Sequence, residues 1–400
     1  MNHLARKLYK HLTAALLLAG LSLSPYLAAL PKNLSVAPPI VDARSYVLID
    51  ATSGTVLAEK NADLPLPPAS LTKMMTAYVI ENELAAGHMQ RDDMVTVSEK
   101  AWRMRGSLMF IEVGEKVSVE NLLKGIIVVS GNDASVALAE HTGGSEQAFA
   151  TMMNNTADKL GMKNSHFKNS SGWPVEGHHS SARDLSLLAK AIIQDHPEYY
   201  ALYNLREFQY GHNKSTGNPL DPQPNRNTLL FSNPGVDGLK TGHTDEAGYC
   251  LAASEKKEDR RLIAVVMGTE SRRSRASETQ KLLTYGFRFF ENHEVKRGGT
   301  SLQSVRIWKG AQNHLAVGLA HDLIVTIPRG QSNKITAMMS IEPNLEAPIL
   351  KDQKVGSVLV KLGDEVIQEE PLLALQTVEK GGLFKSLWDA IVRFFLSLVN

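Results

Sequence analysis

The apolar positions of this chain do not keep one period; they come in short runs whose spacing changes from element to element. Tyr46-Val47-Leu48-Ile49 is uninterruptedly apolar and stops at Thr52-Ser53-Gly54. It reads as a buried strand, with Val56-Leu57-Ala58 returning as its hairpin partner. Pro67-Pro68-Ala69-Ser70 then precede Met74, Met75, Ala77, Tyr78 and Val79 at helical spacing. Proline just ahead of such a run marks a helix start. Residues 122–129 are a second apolar segment closing on Ser130-Gly131-Asn132, and a helix is expected over 134–140. Ser181 with Asp184 resembles a capping box, opening a helix whose buried face is Leu185, Leu188, Ala189 and Ile192. Leu239 leads into Lys240-Thr241-Gly242-His243-Thr244, residues 262–267 form a strongly apolar strand, and 282–290 form an amphipathic helix. Helices and strands alternate without a βαβ period, which predicts an α+β fold rather than a doubly wound sheet.

Beyond about residue 292 the texture changes. Residues 304–308, 315–318, 323–328, 335–341 and 355–362 are short strand-like runs. Gly363-Asp364 is a hairpin signal between the last of these and 365–367. The expectation is a small all-β sandwich domain over 292–378, following a larger domain over 40–291. The segment 383–400 differs again. At about 100° per residue, Lys385, Ser386, Asp389, Arg393, Ser397 and Asn400 share one side of a helix. Phe384, Leu387, Trp388, Ile391, Phe394, Phe395 and Leu398 cover the rest, with only Leu396 on the polar side. Its charges argue against spanning a bilayer, and the large aromatics predict an amphipathic helix lying in a membrane interface. Gly381-Gly382 ahead of it predicts an anchor free of the protein's own core.

Composition narrows the classes. The 400 residues suffice for two domains, and 43% apolar with 21% charged residues is ordinary for a soluble globular chain. A net charge of +1 supplies no field toward nucleic acid, and no aromatic-interleaved basic patch restores one. Cys250 is the one cysteine, so no internal disulfide exists, and a small buried hydrophobe is expected there. At the N-terminus Arg6, Lys7 and Lys10 precede an apolar stretch, then Pro25 and Ala28-Ala29. This reads as a secretory signal peptide over 1–29, too short in its apolar part to span a bilayer.

Ser70-Leu71-Thr72-Lys73 sets a hydroxyl and an amine three residues apart on one helical face. Serine needs a base to take its proton. Lysine can be that base only if its pKa falls from about 10.4 toward neutrality. The spacing recurs at Ser165 with Lys168 and at Ser254 with Lys257, so alone it decides nothing. Two companions single out Ser70. In Ser130-Gly131-Asn132 a second hydroxyl can relay a proton to a leaving amine, and the Asn amide can hold a peptide carbonyl. In Lys240-Thr241-Gly242 a cation and a hydroxyl on a strand edge suit a carboxylate, and Gly242 leaves room for close backbone approach. S-x-x-K, S-x-N and K-T-G in this order are the motif set of penicillin-recognising serine acyl-transferases.

Longer runs carry a closer likeness. Pro68-Ala69-Ser70-Leu71-Thr72-Lys73-Met74-Met75, Ser130-Gly131-Asn132-Asp133-Ala134, His179-Ser180-Ser181-Ala182-Arg183-Asp184 and Val236-Asp237-Gly238-Leu239-Lys240-Thr241-Gly242-His243-Thr244 resemble the low-molecular-mass penicillin-binding proteins that are D-alanyl-D-alanine carboxypeptidases. The resemblance extends through the β-rich domain and the terminal helix. It implies a penicillin-binding, β-lactamase-like transpeptidase domain. It implies that Ser70 attacks the carbonyl of the penultimate D-alanine, that Lys73 takes its proton and that Ser130 helps protonate the departing D-alanine. It further implies that Asn132 orients the peptide, Lys240 adds positive field and Thr241 binds the terminal carboxylate, with Arg275 assisting. The backbone amides of Ser70 and His243 form the oxyanion hole on this reading. The implied partners are the peptidoglycan stem pentapeptide, β-lactam antibiotics and a membrane surface, with no nucleic acid. The implied location is the periplasmic face of the bacterial inner membrane, peripheral, after export. No cofactor and no metal are expected; His178-His179 lacks a HExxH-type companion and reads as loop. The rival readings are a D,D-endopeptidase, a weak β-lactamase on the same fold, and a catalytically silent peptidoglycan-binding protein. A β-lactamase would need an activating Glu between the second and third motifs; Glu342-Pro343-Asn344-Leu345 superficially resembles such a loop but lies in the tail domain.

Overall fold

The first hairpin forms where the apolar runs put it, from β1 (Ser45–Asp50) and β2 (Val56–Lys60). The computed structural model describes residues 36–212 and 215–397; the expected signal peptide, 1–29, and residues 398–400 lie outside the described residues. After the hairpin come α1 (Thr72–Ala85), α2 (Val119–Ile127), α3 (Asn132–Gly143), α4 (Glu146–Lys159) and α5 (Ala182–Asp195). Three long strands follow, β3 (Val236–Thr244), β4 (Gly248–Lys257) and β5 (Arg260–Thr269), and then α6 (Arg272–Phe289). The five strands make one antiparallel sheet in the order β2-β1-β5-β4-β3.

Alternate residues of these strands feed two cores. Val47 and Ile49 join Ile263, Val265 and Met267 in the core that α1 to α5 complete. Tyr46 and Leu48 join Leu262, Ala264 and Val266 against Leu282 and Leu283 of α6. A sheet covered on both faces has no polar side, which is why its strands read as unbroken apolar runs. Cys250 is fully buried in β4, and burial pushes its thiol up to about 11.

The Ser181 hydroxyl caps α5 by accepting the Asp184 N–H at 3.1 Å. The Asp184 carboxylate does not complete the box; it accepts from the Asn164 N–H and the Ser165 hydroxyl. The helix expected over 282–290 begins at Arg272, capped by Ser271. Its first turns bury Arg275, Glu278 and Thr279, polar residues that hide the helical stripe from a hydrophobicity pattern.

The second domain contains β6 (Phe290–Lys296), β7 (Ser301–Arg306), β8 (His314–Gly318), β9 (Leu323–Pro328), β10 (Ile335–Ile341), β11 (Lys354–Leu362) and β12 (Glu365–Ala374). A sheet of order β7-β8-β12-β11-β10 and the pair β6–β9 enclose one core that includes Leu315, Val317, Val325, Ile327, Val358 and Val360. This is the expected all-β sandwich. Its first strand of the large sheet ends at Arg306, and Trp308, expected in that strand, instead bridges to Glu346. The two domains meet through a polar joint. The buried Asp50 carboxylate accepts from the Thr52 and Ser53 N–H groups, Arg260 Nε and Asn292 Nδ2. The Thr326 hydroxyl donates to Asn292 Oδ1 at 2.8 Å and lies 2.6 Å from Ser53 Oγ.

The last element, α7 (Leu383–Ser397), is not free. Its fully buried Asp389 accepts from the Lys309 N–H at 2.7 Å, from Lys385 Nζ at 2.6 Å and from Arg306 at 3.2 Å. Arg393 pairs with Glu346, which Lys309 also reaches. Gly381, expected to loosen the linker, donates its N–H to Lys309 O at 2.7 Å. The helix is thus held by its polar face, and Phe384, Leu387, Trp388, Phe394 and Phe395 are all exposed on the other. Among the described residues no helix is long and apolar enough to cross a membrane.

Candidate active site

Ser70 lies in a single 3-10 turn, Ala69–Leu71, that runs directly into α1. Ala69 has φ 48°, in the left-handed region that a Cβ disfavours. Two glycines let other segments press on this turn. A Cβ on Gly172 would sit 1.9 Å from Ala69 O, and one on Gly242 would sit 2.9 Å from Pro68 O and 3.3 Å from Leu71 N. The close approach expected of Gly242 is therefore between β3 and the serine turn itself. Gly242→Ala is expected to lower the rate of covalent labelling by a fluorescent penicillin roughly 10- to 100-fold, because a misplacement of about 1 Å costs that much. Stopped-flow labelling checks this, and an unchanged rate would show that the turn tolerates the shift.

Lys73 is buried on the first turn of α1. Its Nζ lies 3.2 Å from Ser70 Oγ, 2.7 Å from Asn132 Oδ1 and 2.6 Å from Ser171 O. Burial, with Arg226 adding to it and Asp133 opposing, brings its pKa down to about 7. Relative to water the ammonium is disfavoured by roughly 5 kcal/mol. As an ammonium, Lys73 can donate to all three oxygens. As a neutral amine it keeps two protons for Asn132 and Ser171, its shorter bonds, and turns a lone pair toward the Ser70 hydroxyl. The proton balance is therefore decided at the Ser70 contact.

Ser130 is buried and takes φ 64° just ahead of α3. Among the described residues no hydrogen bond joins its hydroxyl to Ser70 or Lys73. Asn132 Nδ2 donates to Arg105 O at 2.6 Å, so its amide bridges Lys73 to the 105–111 segment. The next residue fixes that segment: the Asp133 carboxylate accepts the N–H groups of Met109, Phe110 and Ala134.

Lys240 and Thr241 are buried on β3, and Lys240 Nζ donates to Thr241 O at 3.2 Å. Burial first, then the charges of Lys73, Arg226 and Arg275, push Lys240 well below its ordinary value. Arg275 reaches Gly242 O at 3.4 Å and Arg226 O at 3.1 Å; burial and neighbouring Arg272 bring it to about 10. Among the described residues no carboxylate pairs with Lys240, Arg226 or Arg275, and an anion placed among these cations would offset both desolvation and repulsion. The His243 ring lies against Tyr249, centroids 3.9 Å apart, with its side chain exposed.

The structure thus joins Ser70, Lys73 and Asn132 directly, and it joins Gly242 to the serine turn and Arg275 to Gly242. Sequence reasoning missed Ser171, whose backbone carbonyl is the contact and whose side chain is immaterial. It also missed the pairing of His178 with Thr72. There Nδ1 accepts the Lys168 N–H at 3.1 Å, so Nε2 carries the proton and donates to Thr72 Oγ1 at 2.8 Å. Burial lowers the His178 pKa to about 4, keeping it neutral. Among the described residues no group of three or more His, Cys, Asp or Glu could hold a metal ion. From the loop between the second and third motifs, the group that reaches Lys73 is the Ser171 carbonyl. Glu176 of that loop is exposed, and no carboxylate hydrogen-bonds to Ser70 or Lys73 among the described residues.

Residues 32–271 match the family described as D-alanyl-D-alanine carboxypeptidase, and residues 290–380 match the C-terminal domain of penicillin-binding protein 5. The chain is 44% identical over 369 residues to the D-alanyl-D-alanine carboxypeptidase DacC of Escherichia coli, covering 90% of each chain. The crystal structure of penicillin-binding protein 5 from Haemophilus influenzae superposes with a TM-score of 0.81 at 39% identity, over 86% of this chain and 100% of that one. Penicillin-binding protein D2 of Listeria monocytogenes, solved in an ampicillin-bound form, is 30% identical with a TM-score of 0.56, over 63% of this chain and 100% of that one. The chain belongs to the serine-type D-alanyl-D-alanine carboxypeptidase family.

Proposed function

We propose that this D-alanyl-D-alanine carboxypeptidase works through an acyl-enzyme on Ser70. The carrying observation is the buried Lys73 amine, within reach of Ser70 Oγ and near neutrality in pKa. Lys73 takes the Ser70 proton as Oγ bonds to the carbonyl carbon of the penultimate D-alanine, with the Ser70 and His243 amides facing the oxyanion. The peptide C–N bond breaks, Ser130 passes a proton to the leaving D-alanine amine, and water then hydrolyses the ester. Asn132 orients the peptide, while Lys240, Thr241 and Arg275 take the terminal carboxylate, whose charge their cluster lacks. The substrate is the peptidoglycan stem pentapeptide, and β-lactams acylate the same serine. The test is incubation with a pentapeptide ending in D-alanyl-D-alanine, followed by mass measurement. Loss of one alanine is expected; cleavage only of cross-linked dimers would make the enzyme an endopeptidase.

The same reading divides the chain into a signal peptide over 1–29, a peptidase domain over 40–291, a β domain over 292–378 and an interfacial helix over 383–400. The protein then works outside the cytoplasm, peripheral on the periplasmic face of the inner membrane, with the exposed aromatic face of α7 as its contact. Deleting residues 383–400 is expected to move the protein from the membrane pellet to the soluble fraction while leaving activity on a short peptide unchanged. Continued pelleting would put the anchor elsewhere.

A further inference from the structure

The β domain ends in an unprotected edge. β10 closes the large sheet, pairs among the described residues only with β11, and reads Ile335-Thr336-Ala337-Met338-Met339-Ser340-Ile341. Its five inner residues are exposed, Met338 at 47% and Met339 at 40%. It carries no charge, proline or bulge, the usual devices that keep an edge strand from pairing with another chain.

The ladder shows which backbone groups are free. Lys334 O accepts from Gly363 N–H, and Glu342 N–H donates to Val355 O, so the even-numbered residues bond toward β11. Ala337, Met339 and Ile341 therefore turn N–H and C=O outward. Ile335 turns out its carbonyl, its N–H closing on Ser332 O.

The strand is also close to a palindrome. Laid antiparallel against a second copy about Met338, it sets Ile335 against Ile341, Thr336 against Ser340 and Ala337 against Met339. The same register sets Lys334 against Glu342 at both ends. It pairs outward-turned residues only with outward-turned residues, so the ladder it makes is consistent, and Met338 faces its own copy on the two-fold axis as a non-hydrogen-bonded pair. Shape, charge and hydrogen-bond parity select one register.

We infer that β10 is a homodimer interface, joining the β domains of two copies of this chain into one continuous sheet about Met338. The test is a single cysteine on the full-length mature protein in membranes, under mild oxidation. In this register the two residues 338 have Cα atoms about 4.5 Å apart, within the roughly 4.4–6.8 Å that a disulfide spans. Met338→Cys is expected to give a disulfide-linked dimer on a non-reducing gel. Thr336→Cys faces Ser340 of the other copy, roughly 13 Å from its own counterpart, and is expected to cross-link several-fold less. Cys250 is buried and does not compete. Met338→Lys sets like charges against each other and is expected to abolish self-association by sedimentation in detergent while penicillin labelling stays unchanged. Absence of the Met338→Cys dimer, or equal cross-linking at 336, overturns the interface.

Discussion

Replacing Ser70 by alanine is expected to abolish both D-alanine release and covalent labelling by a fluorescent penicillin. The loss in turnover should be about 10^4-fold or more, the scale seen when a serine nucleophile is removed from a preorganised site. Nothing nearby can replace it. The Ser130 hydroxyl is buried but makes no hydrogen bond to Lys73, and the Lys73 amine is already engaged by Asn132 and Ser171. The change removes one oxygen from a turn held by backbone contacts to Gly172 and Gly242, so the thermal midpoint should move little. Intact-mass measurement after incubation with penicillin is decisive: a penicilloyl adduct on the Ser70→Ala protein would place the nucleophile elsewhere.

Lys73→Arg should be nearly as damaging, for a different reason. Arginine keeps the charge and can donate to Asn132 and Ser171, but it cannot become a neutral base in a protein. A fall of at least about 10^3-fold in acylation rate is expected, within the range general-base catalysis contributes. The native enzyme carries a matching pH signature. The competent form of Lys73 is the neutral amine, and its pKa is lowered to about 7. Acylation should therefore be slow when the pH is below that value, climb about tenfold per unit toward it, and level off above. Lys73→Arg should lose the climb along with the rate. A native profile flat from pH 5 to 9 would mean that Lys73 is not the group that takes the proton.

The parts of the site legible in the sequence were those in which spacing is itself the geometry. Ser70 and Lys73 meet because residues three apart share a helix face, and the glycine of Lys240-Thr241-Gly242 stands where two backbones touch. What spacing cannot show is a contact made by an atom every residue carries. The Ser171 carbonyl is the shortest bond to Lys73, and no residue type announces it. His178 was visible as a histidine but not as the partner of Thr72, because that pairing depends on how a long loop folds back. The same logic runs through the fold. Apolar strands declared themselves, whereas the first turns of α6 bury Arg275, Glu278 and Thr279 and so look like surface. β6 went unseen because its Phe290 reads as the end of the preceding helix and its other residues, Val295 excepted, are polar or charged. In α7 the two faces were assigned from the sequence, but the sense of the docking was not. A polar stripe reads as the side for water, and here Asp389 turns it inward.

That clamp ties the exposed-aromatic helix α7 to the β domain, and the Asp50 joint ties the β domain to the peptidase domain. A catalytic head on a flexible stalk would sweep a range of depths, and its reach would be a matter of linker length. Here a folded domain, held by contacts at both ends, stands where that stalk would be. If those aromatics grip a surface as proposed, the depth at which the serine works would be set by the folded β domain between them.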